Sequence, residues 1–111
     1  MEYTSKDDRR RHLRCNAYEP CRVVVKGEEY EGAVIDLSMS GAAFQMDVQI
    51  GVQPEVGTPV FLHIERVGRI PAKVVRPCIN GFAVEFRIDQ YHEHIVAALK
   101  QVLDDYRTED G

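Results

Sequence analysis

The sequence predicts a mainly β protein, a six-stranded antiparallel β-barrel with a C-terminal α-helix. Three observations predict it. Six short runs rich in Val, Ile, Phe and Ala are separated by Gly-, Pro-, Asn- or Asp-containing turns. After the last run the apolar period changes from two to 3.6. The 111 residues are about one domain's worth of chain, enough for one core shared by all the elements. Hairpins joined in series leave Val-rich edges that invite aggregation unless the sheet closes, and closure makes a barrel.

The elements follow in order. Residues 1–8 read as a flexible polar leader. Arg9-Arg10-Arg11-His12-Leu13-Arg14 then places four arginines in six positions. Cys21–Val25 is the first strand, and Lys26-Gly27-Glu28-Glu29 turns into the second, Tyr30–Leu37. Gly41–Met46 is the third. Residues 47–58 hold two glycines and a proline among polar residues and read as a loop. Pro59–Glu65 alternates, with Val60, Leu62 and Ile64 on one side. After a turn at Val67-Gly68-Arg69, the fifth strand is Ile70–Arg76, with Pro71 near its start, where a missing donor is tolerable. Asn80-Gly81 is a hairpin signal leading into Phe82–Phe86. Phe44, Phe61, Phe82 and Phe86 are assigned to the core. Asp89 reads as the helix N-cap. Ile95, Ala98, Leu99, Val102, Leu103 and Tyr106 form one apolar stripe on a helix of four to five turns, which would close one mouth of the barrel. The domain spans residues 9–107, and 108–111 read as a frayed tail.

Composition excludes several classes. Fourteen Lys and Arg against eighteen Asp and Glu give a net charge of −4, so positive charge is local rather than general. There is no apolar run near the ~20 residues of a membrane helix, and the polar N-terminus is no secretory signal. Three cysteines without repeated spacing argue against a disulfide framework and fit a reducing cytoplasm. His12, Cys15 and Cys21 match no common zinc spacing, and His92 and His94 fall on different helix faces. No phosphate loop, nucleophile elbow or hydrolase triad is present. The expectation is a non-catalytic protein without metal or cofactor.

One stretch stands out from the barrel pattern, Asp36-Leu37-Ser38-Met39-Ser40-Gly41 between the second and third strands. On an extended backbone the side chains of Asp36 and Ser38 leave the same face. Gly41 would supply a positive φ for the turn. The stretch by itself also reads as an Asx-turn that closes a hairpin and binds nothing.

Arg9-Arg10-x-x-x-Arg14 before the first strand and Asp36-x-Ser38-x-x-Gly41 after the second, followed by four more strands and a helix, resemble the PilZ domain family over nearly the whole chain. The resemblance implies a receptor for the bacterial second messenger cyclic di-GMP. It implies that Arg9, Arg10 and Arg14 contact phosphates and guanines, that Asp36 and Ser38 contact a guanine and its sugar-phosphate, and that Gly41 holds the turn. Arg11 is an additional arginine within the motif, either assisting the contacts or simply solvated; Arg76, at the end of the fifth strand, is a further candidate contact, with a solvated strand-end charge as its plainer reading. In the family, the residue before the Arg-x-x-x-Arg pair tends to set ligand stoichiometry. Arginine at that position, here Arg9, implies two cyclic di-GMP molecules per chain.

The ligand's chemistry suits these residues. Guanine offers two acceptors, O6 and N7, to an arginine fork, and N–H donors on its opposite edge to a carboxylate. Phosphates take strong charge-assisted bonds from guanidinium. The basic leader would order over the ligand on binding, and residues 1–14 are expected to be disordered without it. Output would pass in trans to a protein partner, with motility and exopolysaccharide machinery as the family's usual contexts. Two rival readings stand: an interaction module that binds no nucleotide, and a small RNA- or DNA-binding barrel, whose mark would be aromatics on an exposed sheet face.

Overall fold

The computed structural model of the chain describes residues 15–46, 53–89 and 92–110, with side chains as far as Tyr106. Residues 1–8, Arg9, Arg10, Arg11, Arg14 and the first half of the loop at 47–58 therefore lie outside the described residues.

Six antiparallel strands form a closed barrel in the order β1-β2-β3-β6-β5-β4. They are β1 (Cys15–Val25), β2 (Glu28–Leu37), β3 (Gly41–Met46), β4 (Pro59–Ile64), β5 (Gly68–Cys78) and β6 (Gly81–Phe86), and α1 (Glu93–Asp110) follows. Antiparallel pairing of β1 with β4, Cys21 opposite Ile64 through Val25 opposite Val60, joins the first half of the chain to the second and removes the free edges. The expected barrel and terminal helix are both present.

Period-two alternation decides what enters the barrel. Val23 and Val25 of β1, Val34 and Leu37 of β2, Ala42 and Phe44 of β3, Val60, Leu62 and Ile64 of β4, Ile70, Ala72 and Val74 of β5, and Phe82, Val84 and Phe86 of β6 make one cluster. Phe44 and Phe82 are register partners, their ring centroids 5.5 Å apart. Ile95, Leu99, Val102 and Leu103 of α1 join the same cluster, with Ala98 and Tyr106 packed against it. The stripe written into the helix is thus the face it buries.

Three expectations need correction. β1 starts at Cys15 rather than Cys21. Pro20 argues for a later start, but pairing with β4 begins only at Cys21, so the proline sits where one side of the strand carries no ladder. Phe61 does not enter the core: its in-facing neighbours are Val60 and Leu62, so it lies outside, 37% exposed, with the Arg69 guanidinium 4.0 Å above its ring. Asp89 is not the N-cap. The carbonyl of His92 accepts the first helical bonds, from Ile95 and Val96, and Asp89 instead pairs with the His92 ring through Oδ1 at 3.1 Å.

The register also sorts the two ends of the barrel. Cys15 of β1 lies opposite Leu37, Leu37 opposite Ala42, Gly41 opposite Glu85, and Ile64 opposite Gly68. The start of β1, the β2–β3 turn, the β4–β5 turn and the end of β6 therefore share one end, and α1 packs there.

Candidate functional site

The β2–β3 turn is built by Ser38. Its backbone N–H donates to the Gly41 carbonyl at 2.9 Å. Its hydroxyl oxygen accepts from the N–H groups of Ser40 at 3.1 Å and Gly41 at 3.2 Å, and lies 3.2 Å from the Ser40 hydroxyl. Ser38 is 5% exposed. A short hydroxyl side chain that satisfies successive backbone donors is what fixes a turn of this kind. Leu37, just before it, is anchored in the core.

Gly41 is required for a reason different from the one expected. Its φ is not in the left-handed region, where Gly27, Gly57 and Gly68 are found. A Cβ at Gly41 would stand 2.3 Å from the carbonyl oxygen of Val84 on β6. The glycine lets β3 approach β6 closely at the mouth of the turn, so the requirement is spatial and not conformational.

Asp36 is half-buried and pairs across the ladder with Ala43 of β3 and Asn16 of β1. Ala43 lies outside the core cluster, so Asp36, its partner on the same face, points outward. β1 begins at the residue after Arg14. Its first residue pairs with Leu37, and its second with Asp36. The chain leaving the arginine-rich segment is thus hydrogen-bonded to the strand that carries Asp36. Arg9, Arg10, Arg11 and Arg14 themselves are outside the described residues. Arg76 is exposed on β5, its Nη1 3.3 Å from the Cys78 sulfur.

A second polar cluster, which sequence spacing does not disclose, locks this end of the barrel. Glu19 of β1 is 4% exposed. Arg66, from the β4–β5 turn, grips it with Nε at 3.3 Å and Nη2 at 3.0 Å, and its Nη1 reaches Asp105 of α1 at 2.8 Å. The Tyr106 hydroxyl accepts from the Tyr18 N–H at 3.0 Å and spends its own proton toward the Glu19 carboxylate. Burial pushes the Glu19 carboxyl up, but hydrogen bonds from Arg66 and Tyr106, with the attraction of the guanidinium, outweigh it and hold the group below its ordinary value. Burial and the bond to Glu19 raise the Tyr106 phenol. The partners are 39 to 88 residues apart in sequence. The only local hint is that Glu19 shares the parity of Cys15, Cys21 and Val23.

Among the described residues, no group of three or more His, Cys, Asp or Glu side chains is placed to hold a metal ion, and no helix is long and apolar enough to cross a membrane. An open groove of about 590 Å³ lies on the outer face of β1, lined by Tyr18, Arg22, His63 and Glu65 among others. It includes none of Asp36, Ser38 and Gly41.

A family model described as the PilZ domain matches residues 8–101, a span that takes in the arginine-rich segment from Arg9 and the whole barrel. The chain belongs to the PilZ domain family. Solved PilZ structures share its fold. The PilZ domain of CeSA from a cellulose-synthesizing bacterium is 25% identical, with a TM-score of 0.66 over 83% of this chain and 96% of that one. The PilZ domain of YcgR from Escherichia coli, solved with cyclic di-GMP, is 14% identical, with a TM-score of 0.68 over 93% and 95%. The MrkH–cyclic di-GMP complex of K. pneumonia is 18% identical, with a TM-score of 0.67, and this PilZ domain spans 54% of that longer chain. No curated protein matches the chain.

Proposed function

We propose that this PilZ domain is a cyclic di-GMP receptor, in which Arg9, Arg10 and Arg14 and the Asp36–Gly41 turn hold the nucleotide between them. The observation that carries the reading is the register of β1. The strand starts at the residue that follows Arg14 in the sequence, and Cys15 and Asn16 pair with Leu37 and Asp36, which brings the start of β1 beside the Asp36 turn and supports a site shared by the two motifs. The family match over residues 8–101 and the YcgR and MrkH structures solved with cyclic di-GMP support the same ligand.

Within the site, the arginines read acceptors and phosphates through bidentate, charge-assisted bonds. The Asp36 carboxylate takes N–H donors of a guanine. Ser38 serves chiefly by fixing the turn, since its hydroxyl already accepts two backbone N–H bonds. Gly41 lets the turn lie flat against β6. Arginine at position 9 favours two stacked ligand molecules per chain. The chain carries no catalytic role in this reading. Ordering of the arginine-rich leader over the barrel changes the surface offered to a protein partner in trans, a shift of population that the partner reads. Cytoplasmic placement and a motility or exopolysaccharide output go with it.

The rival RNA- or DNA-binding barrel is less well supported. Successive bases need successive aromatic platforms. Among the described residues the exposed aromatics are Tyr18 and Phe61, and Phe61 is covered by Arg69.

Calorimetric titration of the purified variants tests the proposal. Asp36→Ala and Arg10→Ala should each weaken cyclic di-GMP binding by about 1.5–3 kcal/mol, the worth of hydrogen bonds to charged groups, with unchanged melting temperature. Unchanged affinity in both variants would sink the assignment.

A further inference from the structure

The outer face of β1, β4 and β5 carries features that the barrel itself does not need. The register sets two rows across it. Arg22 of β1 lies opposite His63 of β4, and His63 opposite Arg69 of β5. Val24 lies opposite Phe61, and Phe61 opposite Pro71. Cross-strand partners share a face, so a row of nitrogen-bearing side chains runs beside a row of apolar ones. Phe61 is the centre of the second row and is exposed although large. The open groove on β1 continues this face past the first row, with Tyr18, Pro20, Glu31 and Glu65 on its walls.

The first row suits carboxylates. The Arg69 guanidinium is stacked on the Phe61 ring, 4.0 Å from its centroid. Stacking holds the planar group still and leaves its N–H edges to a two-pronged acceptor. Among the described residues neither Arg69 nor His63 is ion-paired. Arg22 meets Glu29 at 3.6 Å, with both side chains more than half exposed, a pair that is worth little in water and is easily exchanged. Arg69 and Arg22 are two strand spacings apart, about 10 Å, which matches the rise of about seven helical residues.

We propose that the outer face of β1, β4 and β5, centred on Phe61 and Arg69, docks an acidic amphipathic helix of a partner protein. The inference rests on the receptor reading above only in taking that a partner acts in trans, and it names the surface. A helix laid across the strands sets acidic residues about seven apart against Arg69 and Arg22, and apolar residues on the turn between them against Phe61. The occupant is narrow. An anionic lipid surface or a nucleic-acid backbone would spread negative charge over the whole face and meet Glu31 and Glu65. A second copy docking through the same face would set one basic row against another. β4 is three places from β3 in the closed order, so the face looks away from the Asp36 turn. β1 joins the two sides, since it begins after Arg14 and forms one wall of the groove.

The test uses a fluorescent alanine-based helical peptide with two glutamates about seven residues apart and leucines on the turn between them, titrated with the full chain at low salt and read by anisotropy. Two control peptides replace the glutamates by lysines, or the leucines by alanines. The acidic peptide should bind saturably, and both controls roughly tenfold or more weakly. Arg69→Glu and Phe61→Ala should each weaken the acidic peptide by about the same factor, while melting and binding cyclic di-GMP as wild type does. Equal binding of the glutamate and lysine peptides, or an Arg69→Glu variant that binds the acidic peptide like wild type, overturns the proposal. Displacement of the peptide by equal concentrations of inorganic phosphate would make the row a simple anion site. Co-sedimentation of wild type, but not Arg69→Glu, with phosphatidylglycerol vesicles would make it a membrane face. Either result overturns the proposal as well. If the peptide docks and wild type does not bind cyclic di-GMP, the surface stands and the receptor reading falls. If cyclic di-GMP binds and the peptide does not, the receptor reading stands and the surface falls.

Discussion

Arg66→Ala should show how the helix end of the barrel is held. Glu19 is almost fully buried, and its carboxylate is satisfied by two nitrogens of Arg66 and by the Tyr106 hydroxyl. Removing the guanidinium strands a buried charge. Breaking a fully buried pair costs about 3–5 kcal/mol. Here the Arg66 side chain is 44% exposed, and water can enter the space it leaves, so about 2–3 kcal/mol is expected. For a domain of this size that is a fall of about 10–20 °C in melting temperature. The cause is the unpaired carboxylate, so Glu19→Gln in the Arg66→Ala background should recover about 1 kcal/mol. The pH dependence has a definite sign. In the wild type the folded Glu19 pKa lies below the ordinary 4.5, so its contribution is present above pH 4.5 and is lost as the pH falls through the folded value. In Arg66→Ala, burial without the guanidinium raises that pKa, so the variant gains as Glu19 protonates. The deficit between the two proteins, read from melts at several pH values, should shrink from pH 7 towards pH 4. A double variant that melts no higher than Arg66→Ala, with a deficit flat in pH, would refute the reasoning.

Further outcomes follow from the same geometry. Gly41→Ala should cost about 1–3 kcal/mol, as overpacking does, because its Cβ meets the Val84 carbonyl oxygen at 2.3 Å; a denaturant midpoint equal to wild type would contradict the close approach. The Cys21 thiol, pushed up to about 12 chiefly by burial, should resist a thiol reagent at pH 8 in the folded protein and react on unfolding; Cys15 and Cys78 are half-buried and should label first. Above pH 10 the raised Tyr106 phenol should cost stability as the pH climbs towards its folded value, and Tyr106→Phe should flatten that part of the melting profile.

Much of the barrel is legible in the residues because each strand obeys the two-residue period and each turn carries its own chemistry. Val60, Leu62 and Ile64 announce β4, and the 3.6-residue spacing of Ile95, Leu99, Val102 and Leu103 announces the helix and its buried face. Asp36, Ser38 and Gly41 are legible as a turn, and with the arginines as a motif. What was hidden is what depends on pairing. Pro20 disguises the first six residues of β1, because a missing donor matters only where a ladder exists. The β-bulges that shift the register between Val34 and Asp36 and between Val74 and Arg76 leave no mark in the sequence, yet they decide that Asp36 and Arg76 face outward. The need for glycine at position 41 is visible, but its reason lies in Val84 of a strand more than forty residues away. Glu19, Arg66, Asp105 and Tyr106 meet only because the barrel closes and the helix folds back on it.

The central claim is that this domain selects cyclic di-GMP. A competition titration measures it most directly: labelled cyclic di-GMP bound to the wild-type protein, challenged with unlabelled cyclic di-GMP, GTP and a short single-stranded RNA. The account predicts saturable binding of two cyclic di-GMP molecules per chain, displaced by unlabelled cyclic di-GMP and not by equal concentrations of GTP or RNA. Absence of saturable binding, or displacement by RNA as effective as by cyclic di-GMP, would contradict it.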